Sequence, residues 1–139
     1  MTTRMKLLRF IPYLIVLAGA TSAWAASPCA GVDRGLASQR KVALARKIAK
    51  QLQVKTVDVL QSFRTEGWSI IYVDAHESDE TYLFYDHDPL RSRYVTLWSG
   101  AAMTDEEQEI EAWTIKNAAG IPQKLAGCFA WHVTKNRDR

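Results

Sequence analysis

Residues 68–87 read WSIIYVDAHESDETYLFYDH, and the fold turns on them. Two runs rich in β-branched and aromatic residues flank the polar tetrapeptide Glu77-Ser78-Asp79-Glu80. Such a pattern is that of two strands, Trp68 to His76 and Tyr82 to His87, joined by a tight loop. Upstream, Val57 to Arg64 is a further strand, and Thr65-Glu66-Gly67 supplies a hairpin turn with its glycine. The three-residue spacing of Val57, Leu60 and Phe63 also suits one side of a short helix. Downstream, Asp88-Pro89 to Arg93 is a turn, because proline is excluded from a central strand. Tyr94 to Ser99 is the fourth strand. Connections this short join antiparallel neighbours, so the four strands form a meander.

The flanks are helical. From Arg34 to Gln53, Leu44, Ala45, Ile48, Ala49 and Leu52 recur at three- and four-residue spacing, with Arg40, Arg46, Lys47 and Lys50 opposite. Ser38 is a candidate cap. Thr104-Asp105-Glu106-Glu107 has the form of a capping box for a second helix, with Ile110 and Trp113 on its buried face. Gly120 and Pro122 end it. Leu125 to Thr134 carries two patterns: helical spacing at Leu125, Cys128, Phe129 and His132, and the aromatic and β-branched content of a strand. The second is favoured. The expected fold is α+β: an N-terminal helix, a four-stranded antiparallel meander, a second helix and a C-terminal strand.

The chain has 139 residues, 47% of them apolar and 24% charged, which suits one globular domain rather than a disordered chain. Its N-terminus has Arg4, Lys6 and Arg9, then an apolar run from Phe10 to Ala20, then Ala23-Trp24-Ala25. These are the three parts of a secretory signal peptide. The expectation is a signal over 1–25, a single α+β domain over 26–139, and a periplasmic or secreted product with no stable membrane span after cleavage. Removing the signal takes three basic residues from the total of 18 and leaves 15 against 15 acidic ones. The alkaline pI is therefore no footprint of nucleic acid. Export also permits a disulfide, and Cys29 and Cys128 have one intramolecular pairing.

Charge is segregated along the mature chain. Arg34 to Lys55 holds seven basic residues and no acidic one, Thr65 to Leu90 holds seven acidic and no basic, and Asp105 to Glu111 adds five acids. Exposed faces that pair loosely explain this, as do bipolar surfaces that steer a charged protein partner.

No nucleotide loop, zinc-protease pair, serine elbow or calcium loop occurs. No metal or cofactor is expected. Asp74, His76 and His87 are the candidate acid/base groups. On simple hairpin geometry the two histidines sit roughly 20 Å apart, too far to share a metal. His132, between Trp131 and Val133, reads as a packed or edge residue.

The hairpin pairing that closes on residues 77–80 sets Val73 opposite Phe84 and Ala75 opposite Tyr82. One face then carries Ile71, Val73, Ala75 and Phe84 as core. The other carries Tyr72, Tyr85, Tyr94 and Trp98, with His87 at its rim. Tyr and Trp inside a polar rim make a binding surface; the alternative is a second core layer covered by the second helix or the C-terminal strand. The functional expectation is a small exported non-enzymatic binding protein for a protein partner or small ligand of the cell envelope, of the inhibitor or immunity type. The alternative is a small periplasmic enzyme using Asp74, His76 or His87.

Overall fold

The computed structural model describes residues 25–137. The expected signal peptide lies, apart from Ala25, outside the described residues. The chain is α+β, in the order α1 (Ser38–Leu52), β1 (Asp58–Thr65), β2 (Trp68–Asp74), β3 (Thr81–Tyr85), β4 (Thr96–Ser99), α2 (Glu107–Asn117) and α3 (Gln123–Lys135). The strands form one antiparallel sheet in sequence order. Helix α1 covers one face, through Leu44 and Ile48 on Val59, Ile71, Val73, Leu83 and Tyr85. Helices α2 and α3 cover the other, through Ile110, Leu125 and Phe129 on Phe63, Ile70, Tyr82 and Phe84.

With both faces covered, β2 is buried from Trp68 to Val73. The near-continuous apolar run Ile70-Ile71-Tyr72-Val73 is therefore the mark of a strand between two layers. The first hairpin follows its turn chemistry. Glu66 and Gly67 both have positive φ, 51° and 81°, as a two-residue primed turn requires. Leu60 is the extra residue of a β-bulge, because the register shifts between Val59 and Gln61. The shift puts Val59 under α1 and Phe63 under α3 although both have odd numbers.

Four expectations are corrected. The last segment is a helix, not a strand: Leu125, Cys128, Phe129, His132 and Val133 are buried at helical spacing, whereas Trp131 is only half-buried. No layer position was left for a fifth strand once Phe129 had to meet Tyr82, Phe84 and Trp98 at ring distances of 5.1, 5.0 and 5.6 Å. The capping box is not made by Thr104. Glu106, not Glu107, reaches back, accepting from the Met103 N–H at 2.7 Å, while Glu107 pairs with Lys135. Nor does Ser38 cap α1; it is the first helical residue.

The fourth correction is the pairing of β2 with β3. Ile70 meets Phe84, Ile71 meets Leu83, and Tyr72 meets Tyr82, three residues away from the expected register. Strand β2 stops at Asp74, short of His76, because the Asp74 carboxylate accepts the His76 N–H at 2.8 Å and His76 turns into the left-handed region at φ 60°. An odd shift exchanges the faces of β3 relative to β2. β3 likewise ends at Tyr85, before His87.

The disulfide Cys29–Cys128 ties the lead-in to α3, with 4.5 Å between Cα atoms. In the same core, the guanidinium of the exposed Arg34 lies over the buried Phe63 ring at 3.8 Å, and the buried His132 ring meets Phe63 edge-on at 4.9 Å. Neither nitrogen of His132 has a hydrogen-bond partner among the described residues. Burial, with the charges of Arg34 and Arg137 adding to it, pushes its pKa from 6.5 down to about 4. Folded His132 thus stays neutral where the unfolded chain takes up a proton. Its contribution is complete above about pH 6.5 and is lost as pH falls toward 4. Urea denaturation across this window is expected to show a fall on the order of 2–3 kcal/mol. His132→Leu should flatten it, and an unchanged slope in that variant would assign the fall to other groups.

Candidate functional site

The exchanged register divides the four aromatic residues read as one surface. Tyr72 and Trp98 lie on the face covered by α2 and α3, and Tyr85 and Tyr94 on the face covered by α1. Tyr85 is fully buried, its hydroxyl donating to the Gln51 side-chain Oε1 at 2.8 Å, with Tyr94 edge-on at 6.4 Å. His87 belongs to neither face. It is exposed beyond β3 and bonds only to Asp86, at 2.8 Å.

The candidate acid/base groups separate as well. His76 lies with its Nε2 2.9 Å from Asp58 and its Nδ1 3.3 Å from Asp74, half-exposed beyond the end of β2. These carboxylates sit on opposite sides of the ring and do not converge on one point. Among the described residues no three His, Cys, Asp or Glu side chains are placed to hold a metal ion.

A cleft of about 630 Å³ lies beside the β1–β2 turn and is lined by Asp33, Arg40, Arg64 and Asp88, among others. Its charges neutralise one another. Arg40 pairs with Asp88 at 2.9 Å and Arg64 with Asp33 at 2.7 Å. The backbone N–H of Gly35, then Arg64, holds the Asp33 carboxyl below its usual range; the Leu90 N–H and Arg40 do so for Asp88. Groups already paired offer little to a ligand.

A smaller cleft, about 380 Å³, has a different character. It is lined by Trp98 of β4 and by Glu106, Glu109, Ile110 and Trp113 at α2. Both indoles are half-buried against the core, and Glu109 is exposed. The cleft opens beside β4, the edge of the sheet, whose outer side pairs with no strand among the described residues. Leu97 and Met103 are exposed nearby in sequence, at 38% and 66%. An aromatic cleft with carboxylates is suited to an aliphatic stem that ends in a cation.

Of these residues the sequence reading singled out Trp98 for binding. It assigned Trp113 to the buried face, and placed Glu106 and Glu109 only within the acidic run from Asp105 to Glu111, with no cleft attached to them. A half-buried tryptophan one turn after a carboxylate was the available signal. Comparison with protein-family models, with curated proteins and with solved structures finds no match.

Proposed function

We propose that this chain is a small exported, non-enzymatic binding protein, of the inhibitor or immunity type, whose partner is another protein of the cell envelope. The observation that carries this reading is the cleft of Trp98 and Trp113 with Glu106 and Glu109, set beside an open sheet edge. The partner's contribution is a basic side chain whose stem lies between the indoles. A disulfide across the chain supports an oxidising compartment, and no helix among the described residues is long and apolar enough to cross a membrane. The acidic run from Asp105 to Glu111 gives the cleft the field that steers a cationic surface. The enzymatic alternative, through Asp74, His76 or His87, has less support, because these groups are dispersed over exposed ends of the sheet.

The test is capture of an envelope protein on immobilised protein, compared with Trp113→Ala and Glu109→Lys. Each change is expected to weaken the captured complex by about 1–3 kcal/mol while the melting temperature of the free protein moves little for Glu109→Lys. A partner held equally well by all three would remove the cleft from the function. Loss of a turnover activity in His76→Ala, with binding intact, would favour the enzyme.

A further inference from the structure

Arg137 lies beyond the last turn of α3, which ends at Lys135, yet its guanidinium is held among three aromatic rings. Its centre is 5.8 Å from the ring of Tyr72, 6.0 Å from Tyr82 and 5.9 Å from Trp98. The rings come from three adjacent strands and are arranged by the register itself. Tyr72 pairs with Tyr82, and Tyr82 with Trp98. Tyr72 and Tyr82 stack at 4.0 Å, with 8° between planes. Arg137 donates from Nη1 to the Gly100 carbonyl at 2.5 Å and from Nε to the Tyr72 hydroxyl at 3.4 Å. That hydroxyl in turn donates to the Glu80 carboxylate.

The guanidinium sits at the shared edge of the stacked Tyr72 and Tyr82 rings and 5.9 Å from the centre of Trp98, with a phenol oxygen, one carbonyl acceptor and a carboxylate behind the phenol, a pocket suited to a planar, delocalised cation. Beside the guanidinium is a cleft of about 450 Å³ lined by Ser78, Asp79, Glu80, Gly100 and Ala101. Neither Asp79 nor Glu80 enters an ion pair among the described residues. The pocket thus has room and negative charge beyond what Arg137 uses.

We propose that the Tyr72–Tyr82–Trp98 pocket, with Glu80, is a binding site for the arginine side chain of a partner peptide, and that Arg137 is its resident, exchangeable occupant. The tethered residue competes at an effective concentration on the order of millimolar. A single free guanidinium therefore enters poorly, whereas a peptide that adds contacts along the Asp79–Glu80 cleft displaces it. Arg137 can leave without unwinding a helical turn, since it lies outside α3. The site shares Trp98 with the cleft above but has its own occupant and chemistry, and stands whether or not that cleft binds a protein.

The experiment is titration of the full chain with N-acetyl-arginine amide, read from the indole N–H signal of Trp98, in the wild type and in Arg137→Ala. The variant is expected to bind more tightly than the wild type by one plus the ratio of effective concentration to intrinsic Kd, about 2-fold for a Kd of about 1 mM and about 10-fold for a Kd of about 0.1 mM. N-acetyl-lysine amide should bind several-fold more weakly, having no planar fork. Glu80→Gln in the Arg137→Ala background should lose most of the gain. A folded Arg137→Ala protein that shows no shift of the Trp98 signal at tens of millimolar overturns the proposal. An Arg137→Ala protein that fails to fold overturns it too, because Arg137 is then a structural part rather than an exchangeable occupant.

Discussion

Reduction of the Cys29–Cys128 bridge is expected to lower the unfolding free energy by about 2–5 kcal/mol. The bridge spans 99 positions of sequence and so restricts nearly the whole described chain when it is unfolded. Loop-closure entropy alone assigns such a span roughly 4.7 kcal/mol. A domain of this size has about 5–15 kcal/mol in all. Cys128 is also fully buried in α3, between Leu125 and Phe129, so reduction leaves one thiol in the core and that of Cys29 at its margin. Urea titration of Cys29→Ser and of the reduced wild type should give the same midpoint, since Cys29 is the less buried partner. Cys128→Ser should be worse, because it adds a buried hydroxyl. Free thiol in the native, unreduced protein, found by labelling, contradicts the bridge outright.

Truncation of Tyr85 to alanine is expected to cost about 3–5 kcal/mol of folding stability, the range for a buried aromatic ring. Its side chain has no exposure, and its ring fills the layer under α1 against Tyr94 and Leu83. Tyr85→Phe should cost only about 1 kcal/mol, because it removes one hydrogen bond, that to Gln51, and keeps the ring. Thermal or urea unfolding of the two variants separates packing from hydrogen bonding. If Tyr85→Ala left stability intact and instead weakened partner binding, Tyr85 would be a surface residue and the register of β3 would be in error.

Tyr85 also marks how far the sequence could be read. The strands and their order follow from β-branched and aromatic runs broken by turn residues, and the structure has all four. The positive φ at Glu66 and Gly67 realises the turn that the glycine signalled. The helical spacing in α3 was present in the sequence and was outweighed by composition; tertiary packing on Phe129 decides it. The spacing of Val57, Leu60 and Phe63 marks no common face: Leu60 is the exposed extra residue of the bulge, and Val57 and Phe63 lie on opposite faces of the sheet. The register of β2 with β3 was not legible. It depends on where Asp74 ends the strand by binding the His76 N–H, a local competition that residue pattern does not resolve. That one error placed Tyr72 and Tyr85 together. The run Ile70 to Val73 held the counter-signal, because a strand with a solvated face would alternate. The Arg137 pocket was illegible for another reason. It joins three strands to a residue at the far end of the chain, and nothing in local sequence relates position 137 to positions 72, 82 and 98.

The bridge has a second consequence, for survival rather than for stability. Cys29 and Cys128 lie near the two ends of the described chain, so the polypeptide between them is a covalent ring. Arg91 and Arg93 stand exposed in the long connection between β3 and β4, where a trypsin-like protease would cut. A single cut there opens the ring without releasing a fragment. The two pieces stay joined through sulfur, with β3 still hydrogen-bonded to β4 across the sheet. Nicked protein would keep its native mass, plus one water, until a reductant was added.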